Sequence, residues 1–177
     1  ISSVQVRNVV PTAEINVASA QVINGVDTFF ADVGESVPFE GSSQDPGADD
    51  LTVEWDFGDG SPAPDASTMY PLGAAVGPNN VIDPMPHAFA EACAYQVTFT
   101  STDSDGASSQ DAAAVIIRAA AGENRVRMSG YWSHQLRGTG NVDYTEDELT
   151  CLLDVVEAMS TVFHEERDAS KIGRAHV

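Results

Sequence analysis

The sequence predicts an all-β fold, a two-sheet β-sandwich, followed by a small α-helical segment near the C-terminus. Three observations lead to the sandwich. Short β-rich runs between residues 12 and 118 are separated by Gly, Pro, Asn and Asp. Apolar and polar residues alternate within these runs, which gives a strand one buried face and one wet face. Trp55 occupies an inward position in the middle of the segment, as expected for a sandwich core.

The clearest strand lies at residues 51–57, where four apolar residues alternate with three polar ones. This alternation places Trp55 and its apolar neighbours on the buried face. Gly58 and Gly60 follow directly and predict a tight turn, because glycine adopts positive φ without a steric cost.

Four further runs complete the predicted strands. They are residues 13–17, 35–40, 95–102 and 112–118. Val37 and Phe39 face inward by alternation, as do Tyr95, Val97 and Phe99. Pro38 cannot donate to a strand ladder, so its amide position is expected to face a sheet edge or a bulge.

A resemblance to a known family rests on the motif that ends the clearest strand. The motif reads Trp55, Asp56, Phe57, Gly58, Asp59, Gly60. It resembles the signature of the PKD (polycystic kidney disease) domain, and His87 and Tyr95 stand in the expected order after it. The resemblance implies an immunoglobulin-like sandwich. It also implies a non-catalytic extracellular module, often repeated in tandem, that acts as a spacer or binds protein or polysaccharide.

The resemblance suggests a division of the chain. Residues 11–120 form the PKD domain, and residues 1–10 are interpreted as the last strand or linker of a preceding repeat. Residues 121–170 are interpreted as a truncated C-terminal segment. Residues 171–177 resemble a translated sequencing adaptor, so we expect this tail to carry no fold information.

The stretch at residues 61–86 departs from the family pattern, because it is longer than the usual loop and rich in Pro, Gly and Asn. A loop of this length is expected to be functional or disordered. Tyr70 lies within it and is a candidate ligand-binding residue, since flat aromatic faces commonly recognise polysaccharides. The alternative is that Tyr70 packs within its own loop.

A group of polar residues suggests a calcium site. By resemblance to PKD domains of bacterial collagenases, the candidate ligands are Asn8, Asp45, Asp49 and Asp50. Calcium prefers six to eight oxygen ligands with carboxylates on loops. The alternative is turn chemistry, in which the Asp45 side chain accepts hydrogen bonds from nearby backbone amides. Calcium is the one cofactor that the sequence suggests.

Charge and motifs exclude several function classes. The chain has 27 acidic and 8 basic residues, for a net charge of −19, which opposes nucleic-acid binding. It contains no apolar run long enough to predict a membrane span. His164 begins a sequence like the helical zinc motif, but Asp168 stands where the second histidine is required. We therefore predict that the chain is not an enzyme.

The C-terminal segment carries a helix pattern. Thr145 and Glu148 form a capping box, and apolar residues follow at spacings of three and four, which predicts a helix over residues 145–168. Its apolar stripe could dock on the sandwich, pack on Tyr131 and Trp132 in a loop-like setting, or await a missing part of the parent protein. We favour the last two. The two cysteines, Cys93 and Cys151, could pair or remain free.

Together these features predict a binding or spacer module of a multidomain cell-surface or secreted protein. The expected partners are an extracellular protein or polysaccharide, or neighbouring PKD-like repeats in the same chain. The role would then be one of interaction or adhesion. The alternative is the accessory domain of a secreted hydrolase whose catalytic domain lies outside this sequence.

Overall fold

The computed structural model describes residues 8–23, 25–47, 49–72 and 78–118, together with residues 133, 135, 137, 149–151, 153 and 154 of the C-terminal segment. Nine strands lie within these ranges. They are β1 (Thr12–Ile15), β2 (Gln21–Ile23), β3 (Val26–Asp32), β4 (Ser36–Asp45), β5 (Leu51–Asp56), β6 (Ala66–Tyr70), β7 (Asn79–Ala88), β8 (Ala94–Asp103) and β9 (Ser108–Arg118).

The strands form two sheets, which confirms the predicted all-β sandwich. The smaller sheet has the order β1-β4-β7, and the larger sheet has the order β2-β3-β9-β8-β5-β6. Strands β3 and β9 run parallel, and the other pairs run antiparallel. The inner faces of both sheets meet in one apolar core, as immunoglobulin-like packing requires.

Aromatic rings fill the middle of this core. Trp55 on β5 lies 4.7 Å from Phe99 on β8, measured between ring centroids, so adjacent strands of the larger sheet share an aromatic pair. Phe39 reaches across from β4, with its centroid 6.0 Å from that of Trp55 and 5.2 Å from that of Phe29. Trp55, Phe39 and Phe99 are all buried. Because Phe39 belongs to the smaller sheet and the other two rings to the larger sheet, these contacts join the two sheets.

Gly41 on β4 is required by this packing. A Cβ atom placed on Gly41 would lie 2.5 Å from the ring of Phe99. The absence of a side chain there lets the ring lie directly on the β4 backbone. The predicted turn after β5 is also confirmed, since Gly58 has a φ of 67° and Gly60 a φ of 89°.

The predicted long loop at residues 61–86 is wrong, because it contains β6 and most of β7. Pro84 and Pro86 suggested a loop, but β7 is an edge of the smaller sheet, where a missing N–H is tolerated. Pro86 lies opposite Pro38 on β4. Pro38 in turn lies beyond the residues at which β1 pairs with β4, so its predicted edge position is confirmed.

The C-terminal segment is fastened to the sandwich by a disulfide between Cys93 and Cys151, whose Cα atoms are 4.7 Å apart. The bond shows that Cys93 and Cys151 pair, whereas the packing of the apolar stripe on Tyr131 and Trp132 or on a missing part of the parent stays a prediction. Residues 149–151, 153 and 154 are helical, as predicted. Ser133 and Gln135 are also helical, so the predicted loop-like setting is wrong there.

Several predicted features lie outside the described residues. They are residues 1–7 of the predicted last strand or linker at 1–10, the Tyr131–Trp132 pair, the capping box, the rest of the helix over 145–168 and the tail at 171–177. Among the helical residues that are described, none forms a helix long and apolar enough to cross a membrane.

Candidate functional site

Asp83 is a buried carboxylate that organises the centre of the sandwich. The Nε1 atom of Trp55 donates a hydrogen bond to its Oδ2 atom at 2.7 Å, and the hydroxyl of Tyr70 donates to its Oδ1 atom. Both oxygens therefore have a neutral donor, as a buried acceptor requires. Sequence reasoning missed Asp83. The only signal was its inward position in the alternating run of β7, which the two prolines obscured.

Tyr70 does not lie in a loop, because it ends strand β6 and is paired with Leu51. Its hydroxyl bonds to Asp83, and its side chain is partly buried against the core. The hydrogen bond to Asp83, burial and the negative charge of that carboxylate raise the pKa of Tyr70 to about 12. Its role in ligand binding stays a prediction.

Raising the pH should weaken the fold through Tyr70. Because the folded-state pKa lies above the ordinary value of 10, the contribution of Tyr70 to stability is complete below pH 10 and is lost between pH 10 and 12. In Tyr70→Phe, the fall in unfolding free energy across this window should be smaller than in the wild type. Denaturant unfolding at pH 9 and 11.5 measures the difference. Met69→Leu, at the exposed neighbouring position on β6, is the control.

The signature turn holds a second polar cluster. His87 stacks on Phe57, with centroids 3.9 Å apart, and its Nε2 atom lies 2.9 Å from Oδ2 of Asp59. Burial alone would raise the pKa of Asp59, but hydrogen bonds from Ser61 and His87 hold it below its usual value. Oδ1 of Asp56 accepts from the amide of Gly58. These residues are thus engaged in shaping the turn after β5.

Tyr95 closes this cluster on the side of β8. Its ring stacks on Phe89 with centroids 4.5 Å apart, and its hydroxyl donates to the backbone oxygen of Glu91 at 2.9 Å. Burial raises the pKa of Tyr95, with the charge of Glu91 adding to the effect. Tyr95 therefore packs the end of the core rather than presenting a free ring.

The acidic end of the sandwich brings together two of the four candidate calcium ligands, Asp45 and Asp49. Asp45 is fully buried; its Oδ1 atom accepts from the amide of Gly47, while its Oδ2 atom has no hydrogen-bond partner among the described residues. A Cβ atom on Gly47 would lie 2.6 Å from Oδ2 of Asp49 and 3.0 Å from Oδ1 of Asp45. The two carboxylates therefore approach the same point.

Asn8 is linked to the acidic end through Asp103, which sequence reasoning treated only as part of a turn. Its side-chain amide donates to Oδ2 of Asp103 at 2.7 Å, and the neighbouring Ser104 hydroxyl donates to Oδ1 of Asp49 at 3.1 Å. The carboxylate of Asp50 instead accepts from the amide of Leu72. In the described part of the chain, no group of three or more His, Cys, Asp or Glu side chains is placed to hold a metal ion.

A polar groove of about 240 Å³ lies on the outer face of the larger sheet. Strands β5, β8 and β9 form its floor, and Ala63 and Pro64 form a wall. Trp55 also lines it, and the polar residues of the lining are Glu54, Asp56, Thr98, Thr100 and Gln110. Carboxylates, hydroxyls and a carboxamide are groups that hydrogen-bond to hydroxyl-rich or cationic ligands.

A family profile and two solved structures are similar to this chain. The sequence profile of the family described as "PKD domain" matches residues 19–117, more than half of the chain. No curated protein matches the sequence. Among solved structures, the chain is similar to the PKD domain of an M14-like peptidase from Thermoplasmatales archaeon SCGC AB-540-F20, with 16% identity and a TM-score of 0.40. That match covers 63% of this chain and 98% of the other.

A second similar structure is the ASH / PapD-like domain of human CEP192 (PapD-like domain 7). The identity is 11% and the TM-score 0.36, over 61% of this chain and 86% of the other.

Proposed function

Because the chain belongs to the PKD domain family, we propose that it is a non-catalytic binding or spacer module of a multidomain cell-surface or secreted protein. PKD domains are generally non-catalytic accessory modules of such proteins. One observation carries the proposal here: the polar side chains at and beside the signature are packed into the fold, with His87 stacked on Phe57 and Asp83 buried. His87 is engaged with Asp59, and both oxygens of Asp83 are engaged with Trp55 and Tyr70.

The disulfide supports an extracellular or cell-surface location. Disulfides such as Cys93–Cys151 form and persist in oxidising compartments, and are rare where cellular reductants keep thiols free. The strongly negative net charge suits a protein that stays dissolved among other macromolecules.

The polar groove supports a polysaccharide partner. Thr100, Gln110 and Glu54 present a hydroxyl, a carboxamide and a carboxylate on one exposed sheet face. These groups can replace the water around sugar hydroxyls without requiring an apolar contact. A neighbouring protein surface with exposed basic groups is the other partner that this chemistry accepts.

Co-sedimentation with insoluble polysaccharides tests the binding role. We expect a measurable bound fraction for the wild-type chain and a several-fold smaller one for Gln110→Ala, which removes the carboxamide from the groove. Gln96→Ala is the matched control, because Gln96 is exposed on β8 outside the groove lining and should leave binding unchanged. Equal binding by all three proteins would argue against the groove, and no binding by the wild type would leave the spacer role.

We also propose that the acidic end binds calcium through Asp45 and Asp49, with Asn8 close by. The supporting observation is the buried Oδ2 atom of Asp45, since a buried carboxylate oxygen without a partner is costly. A divalent cation would satisfy this oxygen and offset the repulsion between two neighbouring carboxylates. Backbone and water oxygens would complete its coordination.

Thermal melts with calcium and with excess chelator test the site. A ligand that binds only the folded state stabilises it by about 2.7 kcal/mol at a hundredfold excess over Kd, so calcium should raise Tm. Asp45→Asn should abolish the shift, whereas Asp27→Asn, on β3 in the larger sheet, should retain it. If the wild type has the same Tm in calcium and in chelator, Asp45 serves only to form the turn and does not bind calcium.

A further inference from the structure

Residues of β9 that point away from the core become buried towards the end of the strand. Ala113, Val115 and Ile117 belong to the core cluster, so Ala112, Ala114 and Ile116 face outward by alternation. Ala112 is exposed and Ala114 half-buried, yet Ile116 is only 1% exposed. A buried isoleucine on the outer face needs atoms stacked above it.

The neighbouring strand β3 shows the same departure. Phe29 and Ala31 belong to the core, so Thr28 and Phe30 face outward, opposite Ala114 and Ile116 of β9. Thr28 is nevertheless only 3% exposed. Neighbours within one sheet flank a side chain but leave its tip open, because side chains stand roughly perpendicular to the sheet. The sheet itself therefore does not account for the burial.

The disulfide shows which part of the chain lies there. The backbone oxygen of Cys93 accepts from the amide of Ile117 at 2.9 Å, and Ala94 is paired with Ile116. Cys93 and Ile116 are both buried, and neither belongs to the core cluster. Since the Cα atoms of Cys93 and Cys151 are 4.7 Å apart, Cys151 lies beside the start of β8, where Ala94 is paired with Ile116.

We infer that the outer face of the larger sheet around Thr28, Phe30 and Ile116, here called the covered face, is the docking surface of the chain's own C-terminal segment. The occupant is the helical stretch that contains Leu149, Cys151 and Leu153. Gln135, in the same segment, is only 2% exposed, so residues of the segment are also buried away from the disulfide.

The covered face limits which part of the larger sheet an external partner can contact. The larger sheet is a middle layer at this end, with the core on one side and the helical residues on the other. Gln96 on β8 and Gln110 and Ala112 on β9 are exposed, so an external partner can reach the outer face at these positions. The disulfide keeps the docked segment at a high effective concentration, so docking does not depend on a large apolar area.

Two isoleucines provide a matched test in the full disulfide-bonded chain. Ile116 and Ile82 both point away from the core, but Ile82 is 65% exposed on β7. Ile116→Ser should lower Tm by several degrees, whereas Ile82→Ser should change it by less than about one degree. Equal, small shifts for both variants would overturn the proposal.

A second measurement keeps the proposal testable if Ile116→Ser does not fold. Hydrogen exchange of the wild-type chain should show protection of the amides at residues 149–154, and Ile116→Ala should accelerate their exchange while leaving Leu51–Asp56 unchanged. Unprotected amides at 149–154 in the wild type would overturn docking. Protection that rises with protein concentration would assign the covered face to a second copy instead, and would also overturn it.

Discussion

Replacing Trp55 with alanine is expected to lower the free energy of unfolding by about 3–5 kcal/mol, the usual cost of truncating a buried tryptophan. Trp55 is buried between the sheets, where it contacts the rings of Phe39 and Phe99. Domains of this size are stable by only about 5–15 kcal/mol, so the variant should be partly unfolded at physiological temperature. Chemical denaturation followed by circular dichroism measures the change.

A milder substitution separates the packing of Trp55 from its hydrogen bond. Trp55→Phe keeps an aromatic ring but removes the Nε1 donor, which leaves Oδ2 of Asp83 buried without its partner. The unmet acceptor should cost about 1–3 kcal/mol in addition to the lost volume. The same substitution in an Asp83→Ala background should cost less, because no carboxylate remains to be left unpaired. Equal costs in the two backgrounds would show that the bond carries no net stability.

Local chemistry explains why β5 and β8 could be predicted. β5 alternates over its full length and β8 from Gln96 onward, because one face packs in the core and the other lies towards solvent. The turn at Gly58 and Gly60 was equally readable, since positive φ restricts the choice of residue. In these elements, a few consecutive residues are enough to determine the local structure.

Other elements depend on partners that are distant in sequence. The β6 strand is a short edge strand, so only its pairing with β5 makes it a strand. The role of Asp83 depends on the register that brings Trp55 and Tyr70 to its two oxygens. Asp103 likewise bonds to Asn8, which lies 95 residues away in the sequence. Alternation along a single strand contains no information about such register.

The candidate calcium ligands were grouped by resemblance, and their role in binding calcium stays a prediction. The structure places Asp45 at the end of β4 and brings its carboxylate and that of Asp49 to the same glycine. The resemblance could not separate Asp49 from Asp50, although successive residues point to different sides of an extended chain. Asp50 consequently bonds to Leu72 instead.

The disulfide is expected to be the other large contributor to stability. Cys93 and Cys151 are separated by 58 residues, so breaking their bond releases a long loop in the unfolded chain. The chain-entropy treatment gives a cost of about 4 kcal/mol for a loop of this length, near the upper end of the usual range. The double variant Cys93→Ser/Cys151→Ser should therefore unfold at a markedly lower denaturant concentration.

Reductant provides the control for this prediction. The reduced wild-type chain should unfold close to the double variant, and the double variant itself should not respond to reductant, because it has no cysteine left. If the oxidised wild type and the double variant unfold at the same denaturant concentration, the bond does not restrict the unfolded chain as proposed. The midpoint could instead fall while the denaturant m-value, followed by the circular dichroism of the β-strands, stays unchanged. The disulfide would then stabilise the folded sandwich itself, because the released segment no longer shields Ile116.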